Sequence, residues 1–126
     1  MIAVDTSALM AVLLDESAAG DCAEVLASER CAISAATVAE ALIVADRRGL
    51  RSEMADLIDG LGLEVVSVSA AAAGRVADAY ARWGKGVHAS ALNFGDCFAY
   101  DLARTNDCPL LYVGLDFGQT DVVSAM

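Results

Sequence analysis

The chain is poor in the residues that build most small metal and redox sites. Its 126 residues include one histidine, His88, and four cysteines, Cys22, Cys31, Cys97 and Cys108. No two cysteines form a CxxC pair, which speaks against a zinc centre of the Cys/His type. A disulfide framework is equally unneeded, because a chain of this length buries enough core to fold without staples. The thiols are therefore expected to be reduced, in a cytoplasm. Proline is limited to Pro109, and there is no low-complexity tract or fixed-period repeat. The chain reads as one continuous domain over residues 1–126. Long apolar runs are missing too. Hydrophobic residues make up 57% and the mean hydropathy is +0.52, yet much of that is alanine. The cleanest runs, such as Ala8–Leu14, fall far short of the roughly 20 residues a spanning helix needs. No basic stretch precedes an apolar one at the N-terminus, so neither a membrane span nor a signal peptide is expected.

Cations are scarce as well. Eight Lys and Arg face eighteen Asp and Glu, for a formal net charge of −10. That balance is wrong for a protein that holds nucleic acid through phosphate contacts alone. It suits one that concentrates carboxylates around a hard cation, whose own charge reverses the local field. The same acidity predicts a partner with a basic segment.

What the chain does have is an alternation of short apolar runs with helical segments. Met1–Val4, Cys31–Ile33, Leu63–Val68 and Pro109–Val113 read as strands, with a short final one over Val122–Ser124. Helices are expected over Ala8–Leu14 behind Asp5-Thr6-Ser7, over Asp21–Ser28, and over Ala35–Arg48 behind Ser34. Further helices are expected over Ser52–Leu61, from Ser69 to about Trp83, and from Asn93 or Gly95 to about Thr105. Strand–helix alternation predicts an α/β fold in three layers, α/β/α, around a central, mostly parallel sheet. Sites in such folds form beyond the carboxyl ends of the strands.

That rule selects four acids. Asp5 directly follows the first strand, and Asp116 follows the Pro109–Val113 strand. Glu40 lies in the first half of the Ala35–Arg48 helix and Asp96 in the first turn of the last long helix, both among apolar neighbours. Each has an ordinary explanation taken singly: a cap for Asp5, dipole compensation for Asp96, an exposed helix position for Glu40, a turn for Asp116. Together they are costly, because carboxylates that share a site repel and bind protons more tightly. Magnesium or manganese removes that cost and prefers oxygen ligands.

The motifs around these acids resemble the PIN-domain ribonucleases, and most closely the VapC-like toxins. Met1-Ile2-Ala3-Val4-Asp5-Thr6-Ser7-Ala8 resembles the start of that domain, and Thr37-Val38-Ala39-Glu40-Ala41 its helical acid. Asn93-Phe94-Gly95-Asp96-Cys97-Phe98-Ala99-Tyr100 is the most specific match. Tyr112-Val113-Gly114-Leu115-Asp116-Phe117-Gly118-Gln119-Thr120-Asp121 resembles the closing segment. The resemblance covers nearly the whole chain, with the acids in the family's order.

The resemblance implies a metal-dependent endoribonuclease, the toxin of a toxin–antitoxin pair. Asp5, Glu40, Asp96 and Asp116 would be catalytic, with Asp5, Asp96 and Asp116 holding Mg2+ or Mn2+ and Glu40 orienting or deprotonating water. Asp121 is an alternative fourth acid, and Thr120 accompanies it in the motif. Thr6 or Ser7 would bond a carboxylate or phosphate, with helix capping an equal reading. Arg47 and Arg48, with Arg51, would bind the RNA backbone, a solvated helix end being equally plausible. Implied partners are RNA, a cognate antitoxin with a basic segment, and a second copy in a homodimer. Other acidic-pocket classes fit less well. A phosphorylated receiver wants a lysine at a late strand end, and the one lysine is Lys85. A metal-dependent adhesion module wants Asp-x-Ser-x-Ser, and Leu9 replaces its second serine. A non-catalytic PIN-fold scaffold remains, against which stands the presence of all four acids.

Overall fold

The computed structural model describes residues Met1–Met126. Strands β1 (Ile2–Val4), β2 (Cys31–Ser34), β3 (Glu64–Val66) and β4 (Leu110–Leu111) form one sheet in the order β3-β2-β1-β4. Every pairing is parallel, with Ile2 opposite Cys31, Ala3 opposite Leu110, and Ala32 opposite Glu64. The helices are α1 (Thr6–Leu13), α2 (Ala19–Ser28), α3 (Ala35–Asp46), α4 (Arg51–Leu61), α5 (Ala70–Trp83) and α6 (Phe94–Thr105). A 3-10 turn covers Phe117–Gln119.

Strand side chains alternate between two faces, and each face has its own core. Ile2, Val4, Cys31, Ile33 and Leu111 pack with buried residues of α1–α4, among them Leu9, Leu26, Ala41 and Met54. Ala3, Ala32 and Leu110 face the other way, onto Val76 and Trp83 of α5 and Cys97, Ala99 and Ala103 of α6. The small strand residues on that second face let α6 lie close to the sheet. These two cores make the three expected layers. Both faces of the central strands are dry, so β1 and β2 read as continuous apolar runs rather than alternating ones.

Most expected boundaries hold to within two or three residues. The last apolar run gives a shorter strand than expected, because the Val113 amide donates to Ser7 Oγ at 3.0 Å instead of to a ladder carbonyl. The expected strand over Val122–Ser124 reduces to one parallel bridge, Leu110 to Ser124. There the backbone pairs with Leu110, whose amide donates to Val123 O while its carbonyl accepts from Ala125 N. The four thiols are free. Burial pushes the Cys97 thiol up to about 11, so it stays protonated as a small core residue. No helix is long and apolar enough to cross a membrane.

Candidate active site

Because all strands run the same way, the segments leaving the carboxyl ends of β1, β2 and β4 emerge at one edge of the sheet. Asp5 comes straight off β1 and is 3% exposed. It caps α1, its Oδ2 accepting from the Ser7 amide at 3.0 Å and from Ser7 Oγ at 2.6 Å. Ser7 Oγ in turn accepts from Val113 at the exit of β4, so one hydroxyl ties the first acid to the last strand. Asp5 Oδ1 is buried and has no hydrogen-bond partner. A buried carboxylate oxygen left unpaired is expensive, and a cation is the usual remedy. Burial, opposed by the Ser7 bonds and reinforced by the Glu40 charge, raises the Asp5 carboxyl above its usual range.

Asp96 stands at the start of α6, in a capping box with Asn93. The Asn93 amide donates to Asp96 Oδ2 at 3.0 Å, and the Asp96 amide donates to Asn93 Oδ1 at 2.8 Å. The capping reading of Asp5 is therefore correct, Asp96 adds a capping-box bond to the dipole role expected of it, and neither competes with a role in the site. In each, one oxygen anchors the carboxylate to backbone and the other is left to face its neighbours. Desolvation pushes the Asp96 carboxyl up to about 6, with Asp5, Glu40 and Asp116 adding like charge. Thus Asp5, Glu40 and the exposed Asp116 each bear on Asp96, and Glu40 bears on Asp5 as well.

Glu40 reaches these acids from α3. Its Oε1 accepts from Thr6 Oγ1 at 2.5 Å, and its carboxyl end lies over Gly95 of α6. A β-carbon at Gly95 would lie 1.8 Å from Glu40 Oε2 and 2.6 Å from its Cδ. The residue before Asp96 must therefore be glycine for Glu40 to stand here. In the sequence, Gly95 stands out only as one position of a motif. The signal that could have found it is a glycine inside the first turn of a helix beside an acid, where its cost to helix stability asks for a reason.

The structure spreads the other expected residues more widely. Thr6 and Ser7 both bond carboxylates. Thr120 Oγ1 donates to Phe117 O at 2.7 Å and holds the 3-10 turn. Asp121 does not join the four acids through any contact: its Oδ1 accepts from Tyr100 OH at 2.7 Å, and its Oδ2 lies 3.7 Å from Arg82 and from Arg104. Arg47 and Arg48 are exposed at the end of α3. Trp83 is buried, with Nε1 donating to Tyr100 OH at 2.9 Å, and His88 bonds Ser90 and packs edge-on against Trp83.

As the side chains stand, no three acidic, histidine or cysteine groups are close enough together to grip one ion. Like charges without a counter-ion spread apart, and here Ser7, Thr6 and Asn93 hold three of them in place. The donor set is all carboxylate oxygen, the chemistry that Mg2+ and Mn2+ select, and the orphaned Asp5 oxygen fits such an ion.

The raised Asp96 carboxyl fixes a pH dependence for the metal-free protein. Its folded-state pKa, about 6, lies above the ordinary 3.8, so protonation favours the folded state. Its contribution is fully present below 3.8 and is lost as pH rises through about 6. Asp5 shifts the same way. Thermal melts in chelator should therefore show a decline in stability across this window that is smaller in Asp96→Asn. Equal slopes for the two proteins would contradict the upward shift of the Asp96 carboxyl.

Residues 2–123 match the family model described as PIN domain. The chain is 42% identical over 124 residues to Ribonuclease VapC36 of Mycobacterium tuberculosis, covering 94% of this chain and 89% of that protein. It is 35% identical over 125 residues to Ribonuclease VapC30 of the same species, covering 96% and 95%. Among solved structures, VapC20 of Mycobacterium tuberculosis, a sarcin-ricin loop cleaving toxin, superposes with a TM-score of 0.80 at 18% identity, covering 99% of this chain and 98% of that one. A toxin–antitoxin complex from Klebsiella pneumoniae gives 0.74 at 17% identity, covering 98% and 97%.

Proposed function

The chain belongs to the PIN-domain family of VapC ribonucleases, and from that premise we propose that it is a divalent-metal-dependent endoribonuclease, the toxin of a toxin–antitoxin pair. The observation that carries the reading is the buried, unpaired Asp5 oxygen at the edge where Glu40 and Asp116 also bear on Asp96. The reading treats residues 1–126 as one PIN-like unit, supported by the family match over 2–123.

Asp5, Asp96 and Asp116 would hold Mg2+ or Mn2+. A divalent ion there would supply charge stabilisation and a more acidic water near neutral pH. The protein's own contribution is position. Ser7 fixes Asp5, Asn93 fixes Asp96, and Thr6 fixes Glu40. Glu40 Oε2, the oxygen Thr6 does not occupy, accepts the proton of the attacking water. The water oxygen bonds to phosphorus as the phosphorus–oxygen ester bond opposite breaks, and the leaving oxygen takes the bonding pair. Thr120, Asp121, Arg47 and Arg48 remain candidates for substrate contacts, Asp121 through its place beside Arg82 and Arg104.

The partners of this reading are RNA, an antitoxin and a second copy of the chain. The antitoxin is supported by the net charge of −10, which favours a basic segment over the acids, and by a like fold in a toxin–antitoxin complex. The homodimer is in keeping with exposed apolar side chains such as Ile43 and Phe94. A cytoplasmic setting belongs to the same reading, supported by the family match. Incubation with a mixed RNA pool tests the activity: fragments are expected with Mn2+ and not with chelator. Intact RNA in Mn2+ would overturn the enzymatic reading and leave the scaffold alternative, while cutting that survives chelation would overturn the metal.

A further inference from the structure

We infer that the groove between α5 and α6 is an anion track that holds the RNA backbone on its way to the acidic edge, with Arg82 and Arg104 as its phosphate-binding pair and Asp121 as the internal anion that phosphate displaces. The inference deepens the ribonuclease reading and rests on it.

The groove has a volume of about 460 Å³ and gathers Arg75, Arg82 and Arg104, with Asp78 and Asp101 the acids in its lining. These are three of the eight basic residues of a chain whose net charge is −10. Their states differ. Arg75 is committed, its Nε and Nη2 donating to the two oxygens of Asp101 at 2.7 and 3.2 Å. Arg82 and Arg104 are not. Each has one nitrogen 3.7 Å from the same oxygen, Asp121 Oδ2, too far for a hydrogen bond, and their side chains are 64% and 46% exposed. Two guanidinium groups thus converge on one anionic oxygen that neither grips. A phosphate, with more oxygens and a planar match to each guanidinium fork, would satisfy both.

The surroundings keep the pair presented. The Arg82 guanidinium rests over the Trp83 ring, 4.4 Å from its centroid, which orients the group without neutralising it. Asp121 is held from its other oxygen by Tyr100 OH at 2.7 Å, and Tyr100 OH accepts from Trp83 Nε1 at 2.9 Å. The buried Trp83–Tyr100 pair therefore fixes the internal anion between two exposed cations. The placement connects with the site. Tyr100 and Arg104 follow Asp96 by four and eight residues on α6. One helix face therefore runs from the catalytic acid to the arginine pair over about 12 Å. A strongly acidic enzyme gains a grip on its polyanion there without a cation neutralising the acids themselves.

Binding of labelled single-stranded RNA by the full-length chain, in an Asp96→Asn background with Mn2+ and at a series of salt concentrations, tests this. Replacing both Arg82 and Arg104 with Gln should weaken binding on the order of tenfold at low salt and make the logarithmic salt slope shallower by about 1.4, two single-strand phosphate contacts. Asp121→Asn should tighten binding. Arg30→Gln, which removes the same charge from the exposed Arg30–Glu64 pair, should change little. Unchanged affinity and slope in the folded arginine double variant, or an equal loss in Arg30→Gln, would overturn the track. The ribonuclease reading would survive either result so long as wild type still cuts RNA. If wild type neither cuts nor binds RNA, that reading falls and takes this one with it.

Discussion

Asp96→Asn is expected to lose RNA cleavage by at least ~100-fold, the usual scale for removing a group that acts on the reacting atoms. In the absence of metal it is also expected to be more stable than wild type. Asparagine keeps an oxygen to accept from the Asn93 amide, so the capping box that starts α6 survives. What disappears is a charge that burial disfavours and that three neighbouring carboxylates repel. Asp96 is half-buried. After discounting for solvent screening, the relief at neutral pH is about 1 kcal/mol, seen as a rise of the thermal midpoint in chelator. Excess Mn2+ should erase or reverse the advantage, because wild type gains more from the ion. A variant that cuts RNA at the wild-type rate would refute the assigned role, and one that melts lower in chelator would refute the repulsion.

Gly95→Ala should separate activity from stability more sharply still. The new methyl would lie 1.8 Å from Glu40 Oε2, a distance no real contact tolerates. Since the obstruction is the free end of a flexible side chain, the fold yields cheaply. Glu40 swings away and gives up the Thr6 hydroxyl. Alanine also favours the helix over glycine by about 0.5–1 kcal/mol, offsetting much of the cost. Denaturant melts should therefore move little, while kcat/KM falls on the order of 100-fold, the penalty of displacing a catalytic group by about an ångström. Wild-type activity in a folded Gly95→Ala protein would show that Glu40 need not stand where it does.

Much of this was already in the order of residues. Short apolar runs separated by helical lengths forced a parallel sheet, because strands this apolar must be covered on both faces. A parallel sheet then forced Asp5 and Asp116 to one edge. The caps at Asp5, Ser34, Ser69 and Asn93 were readable because a side-chain oxygen two or three residues ahead of a free amide is a local feature, and the structure has each of them. The motifs around the acids carried the family, which the 42% identity over most of the chain bears out.

The tertiary structure decided what depends on contacts between distant segments. Ser7 ending β4 by taking the Val113 amide, Thr6 reaching Glu40 across 34 residues, and Gly95 making room for that same carboxylate are encoded by no local pattern. Nor does spacing say whether Asp116 or Asp121 faces Asp96. They lie five residues apart on an irregular segment, and it takes the folded chain to show Asp121 beside Tyr100, Arg82 and Arg104. Periodicity reports which side of an element is dry. Which oxygen of a carboxylate is occupied, and by whom, is settled only when the layers close.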